Sequence, residues 1–253
     1  VIAGLPMYDR PETFGANDRL WSLIREALSV RGIAAPELLT RGIDLWTLWQ
    51  SSDLVLAQIC GLPYRTRLHG KVRLVATPAH DLPCEPGYYF SEIVVRNDDV
   101  RSTPMEFDGC RIAINDRCSQ SGWAAPMEWA NRNGIRFGKA LFTGSHAASC
   151  RAVARGRAEM AAVDAVSWTM IKRWDHSATR LRTIARATPT PALPYITAID
   201  GNDGNDDLIR QALRDAISGL RSRDRLILGL NGVVRISPER YLEIADAPYP
   251  CSR

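Results

Sequence analysis

Two proline-rich stretches constrain this chain more than any other feature. "TPAHDLPCEPG" (77–87) holds three prolines and a glycine, and "ATPTPALPYIT" (187–197) holds three more prolines. Proline fixes its own φ and lacks an N–H, so neither stretch reads as the interior of a helix or a central strand. They bracket a middle block that has its own strands and helices. The expected layout is therefore two α/β lobes with a discontinuous first lobe. Residues 1–77 and 192–253 would form lobe 1 and residues 78–191 lobe 2, with hinge crossings near 76–88 and 187–195. A cleft between such lobes is a natural place for a ligand. A chain of 253 residues is long enough to bury a core in each.

The texture within the blocks supports an α/β class. "VIAGLPMY", "SDLVLAQIC" and "KVRLVATP" read as strands, and "LLT" as a short one. "DRLWSLIREALSVRG" places Leu20, Leu23, Ile24, Ala27 and Leu28 at helical spacing, with Asn17-Asp18 as the expected cap. "DLWTLWQSS" reads as a second helix. In the middle block "YYFSEIVVR", "FDGCRIAIN", "FGKALFTGSH", "MAAVDAVS" and "LRTIAR" read as strands. "GWAAPMEWANRNG", "HAASCRAVARG" and "VSWTMIKRW" read as helices. After the second crossing come an amphipathic helix, "DDLIRQALRDAISG", and an α-rich end with "SPERYLEIADA". The β-α-β-α-β order predicts, in each lobe, a mostly parallel sheet flanked by helices.

The chemistry gathers at the ends of predicted strands. "NDRCSQSGWAAP" puts Ser119, Gln120, Ser121 and Gly122 where a strand hands over to a helix. The first turn of a helix presents N–H groups with no intrahelical partner and carries partial positive charge. Small residues leave those donors reachable, and serine hydroxyls add more, which suits an anion with several oxygens. A plain capping role for Ser119 or Ser121 is the competing reading. Pro126 predicts an irregular first turn. Other strand ends are polar as well, at Tyr8, at Cys60 to Tyr64, at Thr143 to His146 and at Asp164. Ligands of α/β sheets collect beyond the carboxyl ends of the strands.

The ordered set "LPMY", "SQSG", "TGSHAAS", "GRAEMAAVDAVSW" and "TPALPYIT" resembles the phosphate/phosphite/phosphonate-type substrate-binding proteins of ABC transporters, which have the type II periplasmic-binding fold. The resemblance runs through nearly the whole chain. It implies that Ser119, Gln120, Ser121 and Gly122 hold the oxyanion, that Ser145 and His146 follow as its Ser-His pair, and that Asp164 is its acidic strand-end residue. Gln120 departs from the hydroxyl expected there. The resemblance also implies a pocket aromatic from the first lobe, for which Tyr8 and Tyr64 are both candidates. Thr143 and Cys60 complete the expected ligand set. Asp164 near an anion would suit a ligand that also carries a cationic group, such as an aminoalkylphosphonate. The implied partner is an ABC permease, with the protein serving transport or sensing and closing about its hinge.

Composition narrows the field further. With 32 basic and 28 acidic residues interspersed, the net charge of +4 leaves no basic block for nucleic acid and no membrane anchor. No apolar run is long enough to span a bilayer. The expected protein is a monomer without cofactor or metal. "VIAGLPMYD" reads as a strand rather than a leader, so the expected location is periplasmic if a leader was removed and cytoplasmic otherwise. The six cysteines form no C-x-x-C and read as mostly free thiols. The alternative function is a cytosolic dehydratase or lyase acting on a small carboxylate, with Cys118, His146 and Asp164 as its chemistry.

Overall fold

The computed structural model describes residues 1–199 and 204–245, which fall into two compact units. Unit 1 begins with β1 (Ile2–Gly4), α1 (Phe14–Val30), α2 (Leu45–Trp49), β2 (Leu54–Gln58), the short α3 (Gly61–Pro63) and β3 (Val72–His80). The chain leaves through β4 (Tyr88–Tyr89). Unit 2 holds β5 (Ser91–Arg96), β6 (Ile112–Ile114), α4 (Ala125–Arg132), β7 (Ala140–Phe142), α5 (His146–Ala154), β8 (Met160–Asp164), α6 (Ala165–Trp174) and β9 (Leu181–Arg186). Return is through β10 (Thr190–Pro191) to β11 (Tyr195–Ala198), α7 (Asp206–Gly219), α8 (Ser222–Leu228), β12 (Leu230–Val234) and α9 (Pro238–Leu242) in unit 1. Ile244 and Ala245 belong with unit 2.

In unit 1 the strand order is β1-β2-β11-β3-β12. β1 and β2 are parallel, while β11 runs antiparallel to β2 and β3, and β12 antiparallel to β3. The helical spacing of α1 turns Leu20, Trp21, Ile24 and Leu28 into one buried stripe. It packs with Ile209, Leu213 and Ile217 of α7 on Val55, Leu56 and Val75 of the sheet. The opposite face is covered by Leu48, Trp49, Tyr64 and Tyr241 around Ala57 and Ile196. Each large side chain so buried contributes about 1.5–3 kcal/mol.

Unit 2 has strand order β7-β6-β8-β5-β9. Its central strands are buried on both faces, so they read as continuous apolar runs whose alternate residues enter different cores. Val94, Ala161 and Val163 join Val153, Ile171 and Leu181 on one side. Ile93, Val95, Met160 and Ala162 join Phe107, Trp129 and Ile135 on the other. β6 is parallel to β7 and to β8, so the residues that follow all three strands emerge at the same end of the sheet. β5 is antiparallel to β8 with Ser91 opposite Asp164, which brings its first residue to that end as well.

The fold is thus α/β, with sheets flanked by helices; the sheets are mixed rather than mostly parallel, because β5, β11 and β12 run antiparallel to their neighbours, and several local expectations are corrected. Residues 38–40, "LLT", form no strand, although the Thr40 N–H donates to the Ala3 carbonyl. β1 stops at Gly4 because Pro6 opens a tight helical turn. α1 starts at Phe14, four residues before Asp18. Thr13 fastens the entry by donating to the Tyr8 carbonyl, and Asn17 lies inside the helix with its amide on Asp9. The first proline stretch is partly strand. Pro78 is tolerated there because β11 pairs with β3 only as far as Ala76, leaving Pro78 paired on one side, with Val233 of β12. β12 itself interrupts the helical C-terminal end.

Candidate functional site

The candidate site grows from the common strand end of unit 2. After β6 the chain turns through Asn115 to Ser119, and the residues Gln120–Ala124 form a wide π turn before α4. Both the Trp123 and Ala124 N–H groups donate to the Ser119 carbonyl at 3.1 Å. Such a turn accommodates Pro126, which lacks the N–H that a regular α-helix would use. Ser119 caps the turn, its Oγ accepting the Gly122 N–H at 2.9 Å. That amide is therefore occupied. The Ser121 N–H, by contrast, has no hydrogen-bond acceptor among the described residues.

Ser119, Gln120 and Ser121 are buried. The Ser119 and Ser121 hydroxyls are 3.4 Å apart, and Ser121 Oγ lies 2.9 Å from His146 Nε2. Asp164 Oδ2 lies 3.7 Å from the same ring nitrogen. Three strand ends thus deliver Ser121, His146 and Asp164 to one place. Burial lowers the His146 pKa, outweighing the raising effects of Asp164 and the Ala162 carbonyl, so the ring is neutral at pH 7. Asp164 also caps α6: its Oδ1 accepts the Val166 and Ser167 N–H groups, and its Oδ2 the Ser167 hydroxyl.

Two residues at this site had no role in the sequence reading. Ser91 Oγ donates to the Ser121 carbonyl at 2.9 Å and ties β5 to the turn. Asn115 packs its amide on Gly122: a Cβ there would stand 1.8 Å from Asn115 Oδ1, so any larger residue would force the Asn115 side chain to move. Asn115 Oδ1 is buried and has no hydrogen-bond partner among the described residues. The position of Asn115, immediately after "CRIAI", was the available signal.

The remaining expected residues have the following surroundings. Ser145 caps α5 by accepting the Ala148 N–H and is exposed. Thr143 is engaged with Ser149 Oγ at 2.7 Å and with the Ile114 and Ser145 carbonyls. In unit 1, Tyr64 lies inside the core with its ring edge-on to Tyr241, and burial raises its pKa to about 12. Tyr8 is buried edge-on to His80, and Cys60 is half-buried immediately before α3.

Cys118 is the exception to the expectation of mostly free thiols. Cys60, Cys84, Cys110 and Cys150 form no disulfide, but Cys118 is disulfide-bonded; Cys251 lies outside the described residues. A sulfur so engaged is no nucleophile, which removes the main support for the enzyme reading. The Ser-His-Asp geometry does not restore it. A catalytic relay needs serine and carboxylate on opposite ring nitrogens, and here both face Nε2. Among the described residues no cluster could hold a metal ion, and no helix is long and apolar enough to cross a membrane.

Comparison with known proteins bears on the fold and the family. Many solved structures share the fold, among them the following three. XAC2383 from Xanthomonas citri, bound to chloride ion, is 15% identical, covers 96% of this chain and 95% of its own, and has a TM-score of 0.74. PhnD1 from Prochlorococcus marinus, in complex with methylphosphonate, is 17% identical with 95% and 94% covered and a TM-score of 0.71. A binding protein component of an ABC phosphonate transporter (PA3383) from Pseudomonas aeruginosa is 14% identical with 96% and 83% covered, also at 0.71. No curated protein matches the chain. The family model for "ABC transporter, phosphonate, periplasmic substrate-binding protein" matches residues 51–241. The chain has a type II periplasmic-binding fold and belongs to the phosphonate substrate-binding family of ABC transporters.

Proposed function

We propose that unit 2 captures a small phosphate- or phosphonate-like oxyanion at the turn Ser119–Gly122 and that the protein delivers it, chemically unaltered, to an ABC permease. Ser121 is the observation that carries this reading. Its N–H opens a helix with no acceptor of its own, and its hydroxyl is held by a half-buried, neutral His146. An oxyanion with several oxygens accepts from both, in a field made favourable by the helix start. Asn115, with its unsatisfied amide beside Gly122, is a further contact once its side chain turns its NH2 group toward the ligand.

The site of action proposed is the periplasm. The family description supports it, and so does the Cys118 disulfide, because disulfides persist in oxidising compartments and are rare in the cytosol. The test is a thermal-shift screen with methylphosphonate, phosphate, methanesulfonate and acetate, followed by assay of each ligand for consumption. Stabilisation by the phosphorus oxyanions without turnover supports the proposal. Stabilisation by acetate alone, or ligand consumption, removes it.

A further inference from the structure

The partner of Cys118 follows from the other cysteines. The sequence holds six: Cys60, Cys84, Cys110, Cys118, Cys150 and Cys251. Cys118 is disulfide-bonded in a structure of one chain, and Cys60, Cys84, Cys110 and Cys150 form no disulfide. Only Cys251 is left to supply the second sulfur. The described residues lead toward the same pairing. Unit 1 runs to Glu243 and unit 2 resumes at Ile244, so the chain passes between the units once more after α9. Ala245 then lines a cavity of about 900 Å3 in unit 2, together with Trp123 and Ala124 of the turn and Met127 of α4. The Trp123 N–H donates to the Ser119 carbonyl at 3.1 Å, so Cys118 adjoins the residues that share this cavity with Ala245. Cys251 stands six residues beyond Ala245, and an extended chain of that length reaches about 20 Å.

We propose that a Cys118–Cys251 disulfide ties the segment after α9 to the anion turn, and that this bond holds the turn ready for its ligand. Cys118 immediately precedes Ser119. The Ser119 Oγ takes the Gly122 N–H, and its carbonyl takes those of Trp123 and Ala124. The place of Ser119 therefore sets where the open N–H of Ser121 points. Upstream, the loop is braced by near neighbours. Asp116 accepts the Cys118 N–H at 2.6 Å through Oδ1 and the Ser119 N–H at 3.2 Å through its carbonyl. Arg117 stacks on Phe142, 4.5 Å from the ring centre. A disulfide adds an anchor from a segment distant in sequence and removes freedom from the turn before the ligand arrives. Cys118 is half-buried, within reach of a small dithiol. Such a dithiol gives the bond two electrons and two protons, leaving two protein thiols and its own disulfide. The oxidised protein is then the tight binder and the reduced protein the weak one. The effect on binding rests on the proposed function; the pairing does not.

Trypsin cuts after Arg117, Arg132 and Arg240, which places the two cysteines on separate peptides, 118–132 and 241–253. Oxidised protein, alkylated in denaturant and digested without reduction, should give these two peptides joined in the mass spectrum, with Cys60, Cys84, Cys110 and Cys150 alkylated. Alkylated Cys118, or Cys118 joined to another cysteine, overturns the proposal. Methylphosphonate titration then compares oxidised wild type, wild type treated with dithiothreitol, Cys118→Ser and Cys251→Ser, each below its unfolding midpoint. The reduced protein and both variants should bind about tenfold more weakly, the worth of holding one residue in place. Dithiothreitol should change neither variant. Equal affinity in oxidised and reduced wild type overturns the role given to the bond. If oxidised wild type does not bind methylphosphonate, the proposed function fails, and the peptide map still decides the pairing. Hydrogen exchange of the ligand-free protein then decides the role. The Gly122, Trp123 and Ala124 amides should exchange faster on reduction, and unchanged exchange overturns it.

Discussion

Single residues at the site carry separable consequences. Gly122 is glycine because Asn115 Oδ1 occupies the place of a Cβ. Gly122→Ala should cost about 1–3 kcal/mol, as overpacking does. Asn115→Ala should recover much of that loss in the double variant, and denaturant unfolding of the four proteins measures the coupling. His146 predicts a pH effect of definite sign. Its folded-state pKa lies below the ordinary value near 6.5, so the unfolded chain binds more protons between the two values. Stability should fall as pH drops below about 6.5, and His146→Gln should flatten that part of the profile. Asp99, Asp175 and Asp224 have pKa values lowered below the usual 3.8, each held by hydrogen bonds that include an arginine partner. Their loss of stability belongs to a lower window, below about pH 4, and does not obscure the histidine.

At the scale of elements, the turn before α4 is both a cap and a binding surface. Ser119 serves the first role, since its Oγ takes the Gly122 N–H. Ser119→Ala should destabilise by about 0.5–2 kcal/mol in thermal unfolding, whereas Ser121→Ala should cost about 1 kcal/mol for its hydrogen bond to His146 and, in addition, weaken anion binding. The sequence made the existence of this turn legible, through small polar residues between "CRIAI" and an apolar helix, and Pro126 announced its irregularity. It did not reveal which serine caps and which one faces His146, because that depends on the π turn and on strand ends distant in the chain. Ser91 escaped notice for a related reason: only the antiparallel register of β5 against β8 brings it beside Asp164. β12 went unread because "LGLNGVV" has a glycine at Gly232, and its pairing with β3 is shifted there.

Over the whole molecule, helices with a clear apolar stripe, such as α1 and α7, and strands buried on both faces were legible from periodicity alone. Strand direction was less so. β5 and β11, each the first full strand after a chain crossing, run antiparallel to their sheet neighbours. Local residue pattern does not encode direction. The disulfide at Cys118 was not legible either, since six dispersed cysteines permit many states. Reduction, or Cys118→Ser, should lower stability by about 2–4 kcal/mol, read as a fall in unfolding midpoint that oxidised wild type does not show. The central claim concerns where the anion sits, and amide chemical-shift mapping tests it most directly. On titration with methylphosphonate, the account predicts the largest 15N–1H shifts at Ser121 and Gly122, with His146 following and all of them lost in Ser121→Ala. Saturable binding whose largest shifts fall outside the Ser119–Gly122 turn, or that survives Ser121→Ala unchanged, would contradict it.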